Sequence, residues 1–251
     1  MLSSGTPPRV DPLTADATLE ALYRDDELLV VNKPAGLVVH RGWADDEVTA
    51  LSLARAIAGQ WVYPVHRLDR GTSGVLVFAL SPAIATRMQE LLAARAVKKR
   101  YVALVRGLAP ERATIDHPIA KEKGKPKLPA LTHALRLGSF EVENELTQVV
   151  RKYSWVAAEP ETGRLHQIRR HLKHINHPII GDVRYGKSEH NQLFRRRFRL
   201  DRMALHAQRW DLPHPTQGSM LCWVAGLPRE LAALPEAPHG DPAHGGPAHD
   251  A

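Results

Sequence analysis

Short apolar runs closed by turn-forming residues recur along the chain and predict more strands than helices. Such runs, bounded by Gly, Pro, Asn or Asp, are typical of buried β-strands. The predicted strands cover residues 28–31, 75–80, 101–105, 149–159, 203–212 and 220–225. Because short loops separate these runs, we expect one α+β (mixed α/β) domain built on a large sheet.

Helical spacing of apolar residues predicts three helices between these strands, over about 50–58, 82–94 and 165–177. Ser81 before Pro82 strengthens the second one, because a serine side chain caps the first turn and proline is favoured at the first helical position. Pro178 ends the third helix. Residues 124–129, rich in lysine and proline, predict an exposed loop, and we assign no role to the wider segment 121–129.

The two ends of the chain differ in composition from its middle. Residues 1–17 are rich in Pro, Ser, Thr and Asp and predict a flexible arm. Residues 235–251 are low-complexity Pro, Gly, Ala and His, a composition that predicts a disordered tail. The expected folded domain therefore spans residues 18–234.

Positive charge is concentrated in one segment. The chain has a formal net charge of +7, and residues 163–209 hold twelve Lys or Arg against three acidic residues. That segment alone is +9, which leaves −2 for the remainder. A basic surplus in one segment suits a face that binds a polyanion. Charge alone equally allows a solvated basic surface.

The cysteine content and the hydropathy pattern indicate the cellular compartment of the protein. Cys222 is the only cysteine, which excludes an intramolecular disulfide and a thiolate-rich zinc site. No apolar run approaches the ~18–20 residues of a membrane helix, and the N-terminus lacks the pattern of a secretory signal. We therefore expect a cytoplasmic protein with no membrane partner, and a monomer.

The strongest local feature is the sequence HRLDRGTSG, residues 66–74, which leads directly into a predicted strand. Asp69 stands between two arginines, and adjacent guanidinium groups favour an ionised carboxylate. An ionised aspartate suits a nucleophile or a base better than a general acid. The residues alone leave open a turn aspartate in a surface salt bridge.

Four motifs in order resemble the RluA-type pseudouridine synthases. HRLDRGTSGVLVFAL (66–80) resembles the catalytic motif of that family, and DDELLVVNKPAGLVVH (25–40) its first motif. KRYVALVRG (99–107) resembles its central strand, and TGRLHQIRRHLKHINHPIIGDVRYG (162–186) its C-terminal motif. The match spans roughly residues 19–227. It implies a large, mainly antiparallel mixed sheet with flanking helices.

The resemblance also implies an activity and a set of site residues. The family's enzymes are isomerases that cleave the N-glycosidic bond of a uridine in RNA and rejoin the base through C5, without a metal or an organic cofactor. By this resemblance Asp69 is the catalytic residue, and Arg67 enters the RNA stack where the uridine leaves. Tyr101 stacks on the flipped base, Ile168 packs beside it, and Arg169 pairs with the catalytic carboxylate.

Alternative interpretations of single residues stand beside these roles. Without the motifs, Tyr101 would be a core aromatic residue of a strand and Arg169 a solvated helix arginine. His171, His174 and His177 recur every three residues, which faintly suggests a metal-binding face. Because no acidic ligand or cysteine lies at a useful spacing, we expect a polar, RNA-facing or capping role for them.

The expected partner is RNA rather than DNA. Residues 177–207, with the patterns HNxxFRxxF and RMALHA, resemble the TruC group of the family, which modifies uridine 65 of transfer RNA. Ribosomal RNA, or both RNAs, is the alternative substrate, and a non-catalytic RNA-binding or assembly factor is the alternative class of protein. The side chains expected to contact RNA are those of His66, Arg70, Arg164, Arg170, Arg195, Arg196 and Arg197.

Overall fold

The computed structural model describes residues 19–41, 48–122 and 124–238. Its helices are α1 (Ala50–Ala58), α2 (Pro82–Ala93), α3 (Gln167–His174), α4 (Ser188–Phe198) and α5 (Arg229–Ala232). Its strands are β1 (Glu20–Arg24), β2 (Leu28–Lys33), β3 (Tyr63–Pro64), β4 (Ser73–Ala79), β5 (Lys98–Arg106), β6 (Arg112–Asp116), β7 (Ile119–Ala120), β8 (Lys127–Leu128), β9 (Leu131–Glu143), β10 (Val150–Pro160), β11 (Leu205–Pro213) and β12 (Met220–Val224).

Ten of the described strands form one sheet, in the order β1-β2-β4-β11-β5-β10-β9-β6, with β3 beside β4 and β12 beside β11. The pair β4–β11 is parallel, and the other pairings in the sheet are antiparallel. This confirms the expected α+β fold with a mainly antiparallel mixed sheet. Gly74 allows the parallel contact, because a Cβ at this position would lie 2.1 Å from the carbonyl oxygen of Ala207.

Helices cover both faces of the sheet at β2 and β4. Leu29 and Val31 of β2 pack in one apolar cluster with α1, whereas Leu28 and Val30 pack in another with α2. Burial on both faces explains why these strands are continuous apolar runs rather than alternating ones. The predicted helices at α1 and α2 are confirmed to within one residue.

Local capping determines where these two helices begin. The Thr49 side chain accepts the backbone N–H of Ser52, and the Ser52 side chain accepts that of Thr49, which is a reciprocal capping box. Ser81 caps α2 with Pro82 at its first position, as the sequence predicts. None of the described helices is long and apolar enough to cross a membrane.

A third apolar cluster lies along β5 and β10 and includes residues near the end of the described chain. Trp155 of β10 is buried, and its indole N–H donates to the carbonyl oxygen of Pro235 at 2.9 Å. Ala237 is also buried in this cluster. The packed chain therefore continues past residue 234, where the sequence predicts the end of the domain. The predicted arm 1–17 and residues 239–251 of the predicted tail lie outside the described residues.

Several described elements differ from the sequence prediction, which also lacks β1, β3, β6, β7 and α5. The third helix is shorter than 165–177, because His166 at its start and Asn176 after its end have left-handed backbone angles (φ 54° and 64°). The segment predicted as an exposed loop at 124–129 contains β8, which pairs with β7. β9 and α4 have no counterpart among the predicted elements, since their many polar residues hide the apolar pattern.

Candidate active site

Asp69 lies in the turn between β3 and β4, just before the N-terminal end of β4. The backbone N–H of Thr72 donates to the Asp69 carbonyl oxygen at 3.0 Å, which closes the turn. The buried amino group of Lys33 donates to the carbonyl oxygens of Pro34 and Leu37 at 2.8 and 2.7 Å, and to that of Arg70 at 3.4 Å. One buried side chain thus connects the first motif to the turn that carries Asp69.

Arg169 on α3 joins Asp69 to a second carboxylate. Its Nη1 lies 2.7 Å from Oδ2 of Asp69, while its Nε and Nη2 lie 2.7 and 3.0 Å from the two oxygens of Asp182. The guanidinium in contact with Asp69 therefore comes from a residue 100 positions along the chain. The predicted pairing of Arg169 with the Asp69 carboxylate is present in the structure.

Asp182 is a site residue that the sequence prediction missed. Its side chain is fully buried, and its Oδ1 also accepts the backbone N–H groups of Arg184 and Tyr185 at 2.9 Å each. Burial alone would raise the pKa of Asp182, but the hydrogen bonds from Arg169 and the backbone lower it. Burial alone would lower the pKa of Arg169, but the bonds to Asp182 and Asp69 raise it. Both groups therefore stay charged near neutral pH.

A cavity of about 360 Å³ opens beside Asp69 and is lined by Arg67, Tyr101, Ile168 and Arg169. Its volume is within the ~300–1,000 Å³ of ordinary ligand pockets. Burial, reinforced by the negative charge of Asp69, raises the pKa of Tyr101, so its hydroxyl stays protonated at neutral pH. The five residues that the sequence predicts for catalysis and base binding thus lie around one cavity.

A larger cavity, of about 1230 Å³, lies on the other side of Asp69. Both cavities are lined by Arg67, Leu68, Asp69, His166 and Arg169, so they meet at the carboxylate. A molecule much larger than one nucleotide can therefore occupy the large cavity while a single base occupies the small one.

His166 and Tyr185 complete the surroundings of Asp69. The His166 Nε2 lies 3.7 Å from Oδ1 of Asp69, and its Nδ1 is 3.0 Å from the Tyr185 hydroxyl. Desolvation lowers the pKa of His166 in spite of the nearby Asp69 charge. Both residues lie within the motif at 162–186, but nothing in their spacing predicts contact with Asp69. The left-handed backbone at His166 and the turn after Asp182 bring them together.

Two of the predicted RNA-binding arginines line the cavities, and a third, Arg170, contacts a wall of the small one. Arg70 lines the large one and Arg164 the small one. Arg164 donates from Nε to the carbonyl oxygen of Pro129 at 3.1 Å, and Arg170 donates to that of Ala120 at 2.8 Å. Arg164 and Arg170 therefore also hold the β7–β8 hairpin, a wall of the small cavity, against α3.

His66 does not face the cavities, contrary to its predicted contact with RNA. Its ring lies against that of Trp210, with 4.1 Å between centroids, and its Nε2 accepts the backbone N–H of Val77 at 3.2 Å. Burial lowers the pKa of His66 to about 3, so the imidazole is neutral at physiological pH. A neutral, packed ring that accepts a backbone hydrogen bond stabilises the fold.

The arginine triplet 195–197 lines neither cavity, although Asp201, the partner of Arg195, lines the large one. Arg195 pairs with Asp201 at 2.8 Å, and Arg197 pairs with Glu145 at 3.6 Å beside the β9–β10 turn. Along β10 that turn is eight residues from the position opposite Tyr101, which is roughly 25 Å. The predicted phosphate contacts of the triplet are therefore not at the site around Asp69.

His171 and His174 of α3, and His177 after its end, have structural partners. His171 is buried, with Nδ1 at 2.9 Å from the Thr132 hydroxyl and Nε2 at 2.9 Å from the carbonyl oxygen of His117. The ring of His174 stacks on that of His117, with centroids 3.8 Å apart. His177 contacts the carbonyl oxygen of Arg106 through Nδ1 at 2.8 Å. These contacts match the predicted polar role.

Comparison with known sequences identifies the proteins to which this chain is similar. The sequence model of a family described as RNA pseudouridylate synthase matches residues 27–174. The tRNA pseudouridine synthase C of Haemophilus ducreyi is 42% identical over 209 residues, which cover 78% of this chain and 86% of that protein. The protein of the same name from Vibrio cholerae is 40% identical over 222 residues, 83% of this chain and 91% of that protein.

Solved structures show the same fold. Human RNA Pseudouridylate Synthase Domain Containing 1 superposes with a TM-score of 0.67 at 28% identity, covering 82% of both chains. Human RNA Pseudouridylate Synthase Domain Containing 4 gives a TM-score of 0.66 at 28% identity, covering 84% of this chain and 89% of that one. From the matched motifs, the extent of the sequence similarity and the shared fold, this chain belongs to the RNA pseudouridylate synthase family.

Proposed function

We propose that this protein converts one uridine of transfer RNA to pseudouridine, with Asp69 as its catalytic carboxylate. The observation that carries the proposal is the position of that carboxylate. It lies where two cavities meet and is held at 2.7 Å by Arg169, beside Tyr101 and Ile168. One cavity has the size of a ligand pocket, and the other is open enough for a polymer.

The small cavity suits a uracil base turned out of an RNA stack. Tyr101 offers an aromatic face with a protonated hydroxyl, and Ile168 offers an apolar surface beside it. Turning a base out costs a few kcal/mol of stacking. Arg67, exposed and shared by both cavities, is placed to fill the vacated position with its planar guanidinium.

The reaction is an isomerisation that needs no co-reactant. The bond between C1′ and N1 of the base breaks, a bond between C1′ and C5 forms, and the hydrogen lost by C5 is matched by one gained at N1. The Asp69 carboxylate acts either as a nucleophile at C1′ or as a base at C2′. Both roles need a carboxylate oxygen held in a fixed position, which the contact with Arg169 at 2.7 Å provides.

Transfer RNA is supported by the names of the similar proteins, which are tRNA pseudouridine synthases, and by the basic surplus between residues 163 and 209. Uridine 65 as the position is supported by the resemblance of residues 177–207 to the TruC group. The monomeric state and the cytoplasmic location stay predictions.

The test uses purified protein and unmodified transcripts of transfer and ribosomal RNA, with pseudouridine mapped by carbodiimide labelling and primer extension. We expect one modified uridine in the transfer RNA. Asp69→Asn should lower the rate by about 10²–10⁴-fold or more while leaving RNA affinity within a few-fold, because it removes the reacting charge but little of the binding surface. Asp26→Asn, at an exposed turn, is the matched control and should retain full activity.

The same mapping on RNA from cells that lack the protein identifies the natural substrate. The whole proposal is supported if these cells lack pseudouridine at position 65 of transfer RNA and if the wild-type protein, but not Asp69→Asn, restores it. A lost mark in ribosomal RNA would keep the chemistry and reject transfer RNA. Full turnover by Asp69→Asn would reject the catalytic assignment, and no lost mark at all would favour a protein that only binds RNA.

A further inference from the structure

We propose that the large cavity binds the RNA strand next to the target uridine and that Arg199 binds a phosphate of that strand. This inference rests on the proposed function, because it assumes that RNA reaches Asp69. Arg199 lies outside the arginine triplet and outside the predicted RNA-binding set, and it lines the large cavity together with Arg67 and Asp69.

The backbone holds Arg199 in one place. It is the C-cap of α4, with a left-handed φ of 54°, and its N–H donates to the carbonyl oxygen of Arg195 at 3.0 Å. The next residue, Leu200, is 2% exposed and is part of the core. A helix end fixed by a buried leucine therefore directs the exposed Arg199 side chain to the cavity.

Among the described residues, the acidic side chains that line the large cavity pair with groups other than Arg199. All five carboxylates in the described lining contact nearby side chains: Asp69 and Asp182 contact Arg169, Asp201 contacts Arg195, Glu230 contacts Arg202 and Glu20 contacts Asn32. Within 19–41, 48–122 and 124–238, the guanidinium groups of Arg67 and Arg199 have no hydrogen-bond or ion-pair partner. The described part of the lining therefore offers two unpaired guanidinium groups.

A phosphodiester is the anion that fits these cations. Guanidinium groups bind phosphate oxygens through paired N–H donors, and such contacts position a nucleic acid without reading its sequence. Because one cavity is lined by both Asp69 and Arg199, a nucleic-acid strand can place a base beside Asp69 and a phosphate at Arg199. We expect Arg199 to contribute to RNA affinity and orientation and not to the chemical step.

The first experiment compares Arg199→Gln with Arg87→Gln. Arg87 is also an exposed arginine without a partner in the described chain, but it lies on α2 and lines neither cavity. Binding of an unmodified transfer RNA transcript is followed by fluorescence anisotropy across a range of salt concentrations. Arg199→Gln should weaken binding about three- to ten-fold and lower the salt slope by about one, with kcat within about two-fold and KM raised. Arg87→Gln should match the wild type.

A second pair of variants adds a negative charge instead of removing a positive one. Val183 lines the large cavity with 82% of its surface exposed, so a glutamate there disturbs no packing. Leu146 is 75% exposed at the β9–β10 turn, outside both cavities. Val183→Glu should weaken RNA binding and Leu146→Glu should not, while both should keep the circular dichroism spectrum and melting temperature of the wild type.

These outcomes separate the inference from the proposed function. If the wild type modifies transfer RNA but Arg199→Gln binds with unchanged affinity and salt slope, the strand-binding role of this cavity is wrong and the function stands. Equal losses from Arg87→Gln or Leu146→Glu would also overturn it, because binding would then follow net charge alone. If no uridine is modified but Arg199→Gln and Val183→Glu still weaken binding selectively, the cavity binds RNA and the proposed reaction is wrong.

Discussion

Arg169 and the arginine triplet at 195–197 are both within the most basic segment of the chain, but their surroundings differ. The Arg169 side chain is 11% exposed and contacts the carboxylates of Asp69 and Asp182 through three nitrogen atoms. In the triplet, Arg195 and Arg197 are 41% and 38% exposed, and each has one acidic partner. Arg196 is exposed, and its side chain has no ion pair within the described ranges.

The difference shows that burial and geometry, rather than the density of arginines, mark the site. Breaking a buried ion pair leaves an uncompensated charge and costs about 3–5 kcal/mol, whereas an exposed pair contributes about 0–1 kcal/mol and is screened by salt. The planar fork of Arg169 also fixes the orientation of Asp69. A positive charge is sufficient for any role of the triplet, whereas Arg169 also needs the planar shape of its guanidinium group. Lysine variants, which keep the charge and remove that shape, can separate the two cases.

The sharpest test of this comparison is Arg169→Lys, which keeps the charge and removes the fork. One ammonium group cannot make the three hydrogen bonds of Arg169 with both carboxylates. Asp69 should therefore lose its fixed position, and kcat should fall about 10²-fold, the cost of a misplacement of roughly 1 Å. Single-turnover kinetics with a transfer RNA transcript measures this loss.

Its matched control replaces Arg195, Arg196 and Arg197 together by lysine. The triple lysine variant keeps the positive charge at three positions where we expect only the charge to matter. Its kcat and RNA affinity should therefore equal those of the wild type. Comparable activity losses in both lysine variants would remove the distinction between the two groups of arginines. So would wild-type kcat in Arg169→Lys.

Asp182→Asn should give a smaller loss, because it acts on Asp69 only through Arg169. An asparagine oxygen in place of Oδ1 can still accept from Arg184, Tyr185 and Nη2 of Arg169, but its amide nitrogen would face Nε of Arg169. We expect kcat to fall about 10-fold, with KM nearly unchanged. Losses of this size are typical when a residue that orients a functional side chain, without contacting the substrate, is replaced.

The control for Asp182→Asn is Glu145→Gln, which breaks the pair with Arg197 at an exposed position. It should leave both kinetic constants at wild-type values. A rise in KM with constant kcat for Asp182→Asn would indicate that Asp182 supports RNA binding instead of the position of Asp69.

The parts of the fold and site that could be predicted have local causes. The Thr49 and Ser81 caps and the apolar runs of β2 and β4 act over a few residues, so α1, α2 and these strands are predictable. Asp69, Tyr101 and Arg169 were found through motif resemblance. Contacts that depend on the assembled sheet, such as the bond between Arg169 and Asp182, have no local signal.

The strand β9 and the position of His66 also depend on contacts between distant parts of the chain, which leave no local signal in the sequence. β9 has mostly intermediate burial and many polar residues, and it is held by pairing with β10 and β6. A histidine beside an arginine in a basic motif suggests contact with RNA, but the ring of Trp210 packs against it from a strand more than a hundred residues away. Tertiary contacts overrode the local pattern in both cases.

The smallest expected effect comes from replacing Arg195, Arg196 and Arg197 together by glutamine. If all three bound phosphates, the slope of log affinity against log salt would fall by about three. Since Arg195 and Arg197 already have acidic partners and the triplet lines neither cavity, we expect the slope to fall by no more than about one, through Arg196. Affinity should fall less than about three-fold, and stability should change by less than about 1 kcal/mol. A slope change near three would mean that the RNA displaces the acidic partners and extends along α4 to the β9–β10 turn.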